Sequence, residues 1–289
     1  MNPARRRFLS LSAISLTAGC ATLESKQSEW IFRPVRDNWR GYQGLPAGVA
    51  ELWLPLPGED GERLHAWWAP QEDQQAPAVL YLHGARWNLS GSSFRIQRLR
   101  DLGFSVLAID YRGFGQSSGE LPSETKAYED AQLGWDWLRV KVPQPGRRFV
   151  YGHSLGAAVA IDLAARLTVD DAAGLITEAA LTSVPDVVSA SRFGWLPVGF
   201  LITQRFEALA RIPKVTIPKL FLHGTADTVI PHSMGDELFK AAAEPKRLVK
   251  FEGAGHSGIA WSASEQYRRA IGDFVQATLA VGGKAHATR

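Results

Sequence analysis

Ser154, Asp227 and His256 are the residues whose types and settings most directly suggest chemistry. A serine hydroxyl is nearly inert at neutral pH and becomes a nucleophile only beside a general base. That base is normally an imidazole whose tautomer a carboxylate holds in place. Ser154 is the centre of Gly152-His153-Ser154-Leu155-Gly156. The β-prone Arg148-Phe149-Val150-Tyr151 precedes this pentapeptide, and the helix-forming stretch Leu155 to Leu167 follows it. Strand, tight turn and helix are the setting in which Gly-x-Ser-x-Gly projects a strained serine above a sheet. The pentapeptide alone is weak: Gly115-Gln116-Ser117-Ser118-Gly119 matches it too, but Glu120-Leu121-Pro122 comes next and opens no helix. We read this second match as a loop. Gly113-x-Gly115 likewise starts a dinucleotide fingerprint that Ser118 breaks.

Side chains so far apart in sequence need a scaffold to bring them together. Eight short apolar runs read as strands: Glu51 to Leu56, Leu64 to Trp68, Ala78 to Leu82, Ser105 to Ile109, Phe149 to Tyr151, Gly174 to Thr177, Leu220 to Leu222 and Leu248 to Phe251. Helical stretches lie between them at Ser93 to Leu102, Thr125 to Val140, Leu155 to Leu167, His232 to Ala243 and Ala263 to Ala280. The alternation predicts an α/β fold with a mostly parallel sheet covered on both faces, in which chemistry gathers at the carboxyl ends of strands. His223-Gly224-Thr225-Ala226-Asp227 and Gly253-Ala254-Gly255-His256 both come directly after strand runs.

The chain order serine, aspartate, histidine, together with His83-Gly84, Asp110-Tyr111-Arg112-Gly113-Phe114-Gly115 and His223-Gly224-x-x-Asp227, resembles the α/β-hydrolase superfamily and its compact serine-aminopeptidase-like branch. The resemblance covers roughly residues 50–280 and implies an α/β-hydrolase fold with a small cap insertion. It implies Ser154 as nucleophile, His256 as base and Asp227 as its orienting acid. It implies an oxyanion hole from the N–H groups of Ala85 and Leu155, although the family often has asparagine where Ala85 stands and again near Trp87. Arg86, Trp87, His153 and Trp195 are candidate pocket residues. The expected substrate is a small-molecule or lipid-like ester, cleaved through an acyl-enzyme. An amidase, aminopeptidase or acyltransferase uses the same three groups, and a non-catalytic envelope scaffold is the alternative outside enzymes.

The remaining polar residues have structural readings. Glu178 ends a strand and competes with Asp227 for the role of acid, but is expected to anchor a neighbouring loop. Asp110 is expected to brace the Arg112 turn, and His83 and His223 to make structural hydrogen bonds. A serine mechanism requires no cofactor or metal, and His65, His232 and His286 lack ligand spacing such as HExxH. The interval between Glu178 and His223 suits one or two small helices; its aromatic residues serve equally as an acyl pocket or as ordinary core.

The first nineteen residues read as an export signal. Arg5-Arg6-Arg7 precedes an apolar stretch from Phe8 to Ala18, within the roughly 7 to 15 residues of a signal h-region. Ala18-Gly19-Cys20 resembles a bacterial lipoprotein site, with Cys20 as the lipidated residue and the cell envelope as location. Arg5-Arg6-x-Phe8-Leu9 looks like a twin-arginine motif. These arginines account for the chain's formal charge of +3, so nothing marks a nucleic-acid surface. Cys20 is the only cysteine, which rules out an internal disulfide. With 289 residues, 45% hydrophobic and 21% charged, the expected organisation is a signal at 1–19, a tether and lead-in at 20–48 whose Trp30, Phe32 and Trp39 pack onto the domain edge, one α/β domain at 49–281 and a mobile tail at 282–289.

Overall fold

The computed structural model describes residues 23–58, 60–191, 194–195, 199–262 and 264–287. The expected export signal and Cys20 lie outside these residues. Eight strands form one sheet: β1 (Ala50–Pro55), β2 (Arg63–Ala69), β3 (Ala78–Leu82), β4 (Ser105–Ile109), β5 (Arg148–His153), β6 (Gly174–Glu178), β7 (Lys219–Gly224) and β8 (Lys246–Phe251), in the spatial order β1-β2-β4-β3-β5-β6-β7-β8. β1 pairs antiparallel with β2, and β2 antiparallel with β4; from β4 to β8 every pairing is parallel. The chain moves outward from β3 to β4 and then crosses back to β5. The loops after β3 and β5 therefore meet at a topological switch point, where open α/β sheets form crevices.

Alternation along the strands divides the core into two layers. Leu80, Leu82, Leu107 and Ile109 pack on one face, with Trp135 of α3 (Glu124–Lys141) and the whole of α4 (Leu155–Ala164). Val79, Tyr81, Val106 and Ala108 pack on the other, with Ile96 and Leu99 of α2 (Leu89–Asp101) and Ile271 and Phe274 of α9 (Ser264–Ala287). All ten residues of α4 are buried, which fits its nearly uninterrupted apolar sequence.

Three element boundaries differ from expectation. The stretch expected to be a tether contains a helix, α1, over residues 23–32. Ser28 and Phe32, one helical turn apart, are both buried, and the Phe32 ring meets Phe114 and Phe206 edge-on at 6.3 and 5.6 Å. Helix α2 starts four residues early, at Leu89, because the Asn88 side chain caps it by accepting from the Gly91 N–H at 3.2 Å. Helix α9 runs on to Ala287 through the residues expected to form a tail. Between β6 and β7 the described helices are short, α5 (Val184–Ala190) and α6 (Ala208–Arg211), with a single turn of 3₁₀-helix before α6 and another after it, and α7 (His232–Ala241) lies between β7 and β8.

Candidate active site

Ser154 occupies the turn between β5 and α4 with φ 56° and ψ −122°, a left-handed backbone that a non-glycine residue holds only when its surroundings enforce it. The enforcement is visible. Its N–H donates to the Glu178 carbonyl of β6 at 2.9 Å. The two glycines of the pentapeptide allow the strand and helix to close: a Cβ on Gly152 would lie 2.2 Å from the Gly156 oxygen, and one on Gly156 would lie 2.2 Å from the Leu82 oxygen.

The three predicted side chains converge. His256 Nε2 lies 3.0 Å from Ser154 Oγ, and its Nδ1 lies 2.8 Å from Asp227 Oδ2. With the proton on Nδ1, the imidazole donates to Asp227 and presents an open lone pair to the serine O–H. Asp227 follows β7, and its Oδ1 accepts the Val229 and Ile230 N–H groups, each at 2.8 Å. Burial alone would raise the Asp227 pKa. Hydrogen bonds from His223 and His256, the charge of His256 and the Ile230 N–H outweigh burial and hold the carboxyl well below its ordinary range. Asp227 thus stays an anion throughout the neutral range.

Two N–H groups flank the serine. Leu155 is the first residue of α4, where helical N–H groups have no intrahelical acceptor. Ala85 follows Gly84, where an added Cβ would sit 3.0 Å from the Ser154 Cβ. Neither the Ala85 nor the Leu155 N–H donates to a protein acceptor among the described residues. The next amide in the loop, Arg86, donates to the Phe32 carbonyl at 2.7 Å with φ +70°. Helix α1 thereby fixes the turn carrying Ala85, a function not legible in its sequence.

The pocket candidates separate. Trp87 is half-buried and stacked on Trp39, with ring centroids 4.5 Å apart. The Arg86 side chain is exposed, and Trp195 is 78% exposed. His153 is buried, its ring 5.2 Å from that of His256. Burial, reinforced by the Arg95 and His256 charges, pushes its pKa well down and keeps it neutral.

Two supporting residues also depart from expectation. The Glu178 carbonyl holds the Ser154 turn, but its side chain anchors a helix: it is fully buried, accepts from Arg95 Nη2 of α2 at 3.2 Å and bonds the Tyr151 hydroxyl. It therefore makes no contact with His256 as an alternative acid. The Asp110 carbonyl takes the Ser117 hydroxyl at 2.7 Å in the loop that carries Arg112, while its carboxylate is engaged elsewhere. It accepts the Leu89 N–H at 2.9 Å and meets His65 Nδ1 at 3.2 Å, whereas Arg112 is held by Asp130, with Nε to Oδ1 at 2.7 Å. His83 and His223 do make structural bonds, to the Gly84 and Ile230 carbonyls. Arg95 escaped notice in the sequence, although its signal was there: it shares the helical face of Ser92, Ile96 and Leu99, which places a charge on the buried side.

Fold and nucleophile geometry together define a class. The family model for serine aminopeptidase S33 matches residues 73–199. An uncharacterized protein of Mycobacterium tuberculosis is 36% identical over 215 residues, covering 74% of this chain and 74% of that protein. An α/β hydrolase domain-containing protein 17B of Xenopus laevis is 33% identical over 208 residues, covering 70% of this chain and 67% of its own. Lysophosphatidylserine lipase ABHD12 of Danio rerio is 31% identical over 224 residues, covering 71% of this chain and 55% of that protein. Among solved structures, the Pyrococcus furiosus esterase Pf2001 shares the fold, with a TM-score of 0.67 at 20% identity over 84% of this chain and 97% of its own. The chain belongs to the α/β-hydrolase superfamily, and within it is a serine hydrolase.

Proposed function

We propose that the protein is an exported, lipid-anchored carboxylic-ester hydrolase in which Ser154, His256 and Asp227 form the catalytic triad. The observation that carries this reading is the unbroken contact from Asp227 through both nitrogens of His256 to Ser154 Oγ, 2.8 Å on one side and 3.0 Å on the other. Ser154 Oγ attacks the ester carbonyl carbon while its proton passes to His256 Nε2. The carbonyl oxygen becomes an oxyanion facing the Ala85 and Leu155 N–H groups; such a donor is worth about 100- to 1000-fold in rate. The carbon–oxygen bond to the alcohol then breaks as His256 returns the proton to the leaving oxygen. Water repeats the sequence on the acyl-enzyme, releasing the acid and restoring Ser154.

Esters are favoured over peptides with a free amine because the acids around the centre are already engaged: Asp227 with His256, Glu178 with Arg95, Asp110 with His65 and Asp186 with the hydroxyls of Thr182 and Ser183. The names of the Danio rerio relative, a lipase, and of the Pyrococcus furiosus neighbour, an esterase, agree with this choice. Labelling by a fluorophosphonate probe tests the nucleophile: it must occur on Ser154 and vanish in Ser154→Ala. The export signal and Cys20 support the anchor. Cys20→Ser is expected to move the protein from the membrane to the soluble fraction, and an unchanged distribution would remove the anchor from this proposal.

A further inference from the structure

A trough of about 280 Å³ lies between the segment after α1, the start of α2 and the short helix α8 (Ile259–Ser262). Trp39, Trp87, Phe94 and Trp261 form its walls, with Ser93 and Ser257 among them. The rings make a continuous series. Trp39 and Trp87 stack at 4.5 Å and 15°, Trp87 meets Phe94 at 6.2 Å and 64°, and Phe94 lies against Trp261 at 5.5 Å and 29°. Two stacked pairs therefore meet at a corner. Trp39 is 45% and Trp261 61% exposed, so the corner opens to solvent. Helix α2 is built to admit it: a Cβ on Gly91 would lie 2.8 Å from the Trp87 ring.

Both ends of the trough begin on the chain segments of the proposed catalytic machinery. Ser257 directly follows His256, and Trp87 lies two residues beyond Ala85. Consecutive Cα atoms are 3.8 Å apart, which places the backbone of the trough's lining within one residue of His256 and two of Ala85. Resting on the ester-hydrolase reading above, we propose that this trough is a subsite for a single aromatic ring of the substrate, one bearing a polar substituent.

The chemistry favours a ring over an alkyl chain. Aromatic partners gain from offset-stacked and edge-to-face contacts, which a corner of ring faces offers together. The volume exceeds the roughly 150 Å³ that admits benzene and falls short of pockets for whole drug-sized ligands, about 300–1,000 Å³. The Ser93 and Ser257 hydroxyls have no protein partner among the described residues, so they are available to a phenolic or alkoxy substituent. A methylene chain would leave them facing apolar groups.

The ring can belong to the acyl half or to the alcohol half of the ester, and three substrates separate these cases. Ethyl butanoate has no ring, ethyl 3-(4-hydroxyphenyl)propanoate carries one on the acid, and 2-(4-hydroxyphenyl)ethyl acetate carries one on the alcohol. In Trp261→Ala the kcat/KM ratio of the relevant ring-bearing ester to ethyl butanoate should fall roughly three- to tenfold, mainly through KM. Trp261→Phe should restore most of it. Gly91→Ala, which pushes on Trp87 without emptying the core, should lower the same ratio. Calorimetry on Ser154→Ala with 3-(4-hydroxyphenyl)propanoate and 2-(4-hydroxyphenyl)ethanol supplies a readout independent of turnover, and Trp261→Ala in that background should weaken binding of one of them. Unchanged ratios and unchanged affinities, with ethyl butanoate still turned over, would overturn the subsite and leave the esterase standing. Absence of ester turnover together with absence of fluorophosphonate labelling would overturn both.

Discussion

The molecule contains two clusters of serine, histidine and aspartate at the same edge of its sheet. Both serines are the centre of a Gly-x-Ser-x-Gly pentapeptide. In the first, Ser154 faces His256, which faces Asp227. In the second, the buried Ser117 donates its hydroxyl to the Asp110 carbonyl at 2.7 Å and accepts the His65 N–H at 2.9 Å, while His65 Nδ1 meets the Asp110 carboxylate at 3.2 Å. The residue types and even the motif agree, yet the second cluster has no nucleophile. Ser117 Oγ bonds backbone groups and not an imidazole nitrogen. Both His65 nitrogens face carboxylates, Nε2 meeting Glu51 at 2.8 Å, so the ring has no lone pair to offer a hydroxyl. What separates a reactive serine from a structural one is the backbone turn that aims it and the group the imidazole's second nitrogen meets.

Exchanging each serine for alanine should produce the largest divergence. Ser154→Ala is expected to lower kcat by about 10⁴- to 10⁶-fold with little loss of stability. Ser117→Ala leaves a buried N–H and a buried carbonyl without their partner, a loss of about 1–3 kcal/mol, and should keep turnover per folded molecule within a few-fold. Parallel rate and melting measurements decide the matter. Catalytic loss in Ser117→Ala without loss of folded protein would erase the distinction.

Much of this contrast was legible in the sequence, because it depends on the residues immediately after each pentapeptide. Gly156 leads into a helix-forming run, and Gly119 into a proline-bearing loop. The eight strands were legible for a similar reason, since short apolar runs bounded by turn residues have few other uses. The roles of Asp110 and Glu178 were not. Their partners His65 and Arg95 lie 45 and 83 residues away, and only tertiary packing selects them from the other charged residues. Helix α1 was missed because among its hydrophobic residues only Ile31 and Phe32 pack against the core, and neighbours in sequence establish no period. The aromatic trough was equally hidden: Trp39, Trp87, Phe94 and Trp261 come from three separate segments, and none has a distinctive setting alone.

The two aspartates sharpen the comparison next. Asp227→Asn preserves shape but offers an amide where His256 needs an acceptor for Nδ1–H, and the wrong tautomer then faces Ser154. A fall in kcat of about 10⁴-fold is expected. Asp110→Asn disturbs the Leu89 N–H and His65 contacts, with an expected loss of about 1–3 kcal/mol in unfolding free energy and kcat within a few-fold of the parent. If Asp227→Asn kept most of its activity, Asp227 would be a structural acid like Asp110, and the two clusters would differ only in exposure.

The smallest expected effect is one of pH, and it belongs to the closed cluster. Burial alone would lower the His65 pKa, but hydrogen bonds and charge from Asp110 and Glu51 outweigh burial and raise it above the ordinary histidine value of about 6.5. Folding therefore favours the protonated ring. The stabilisation from His65 is fully present below the unfolded value and is lost as pH rises through the folded one. His65→Gln, neutral throughout, removes this linkage while leaving every other titrating group in place. The difference in unfolding free energy between parent and variant should accordingly be larger at pH 5.5 than at pH 8.5, as read from denaturant midpoints. A level difference would mean that the cluster does not favour the charged ring, and one that grew toward alkaline pH would mean that His65 is held neutral. Its ring would then keep a free lone pair, and the closed cluster would differ from the triad only in where its serine points.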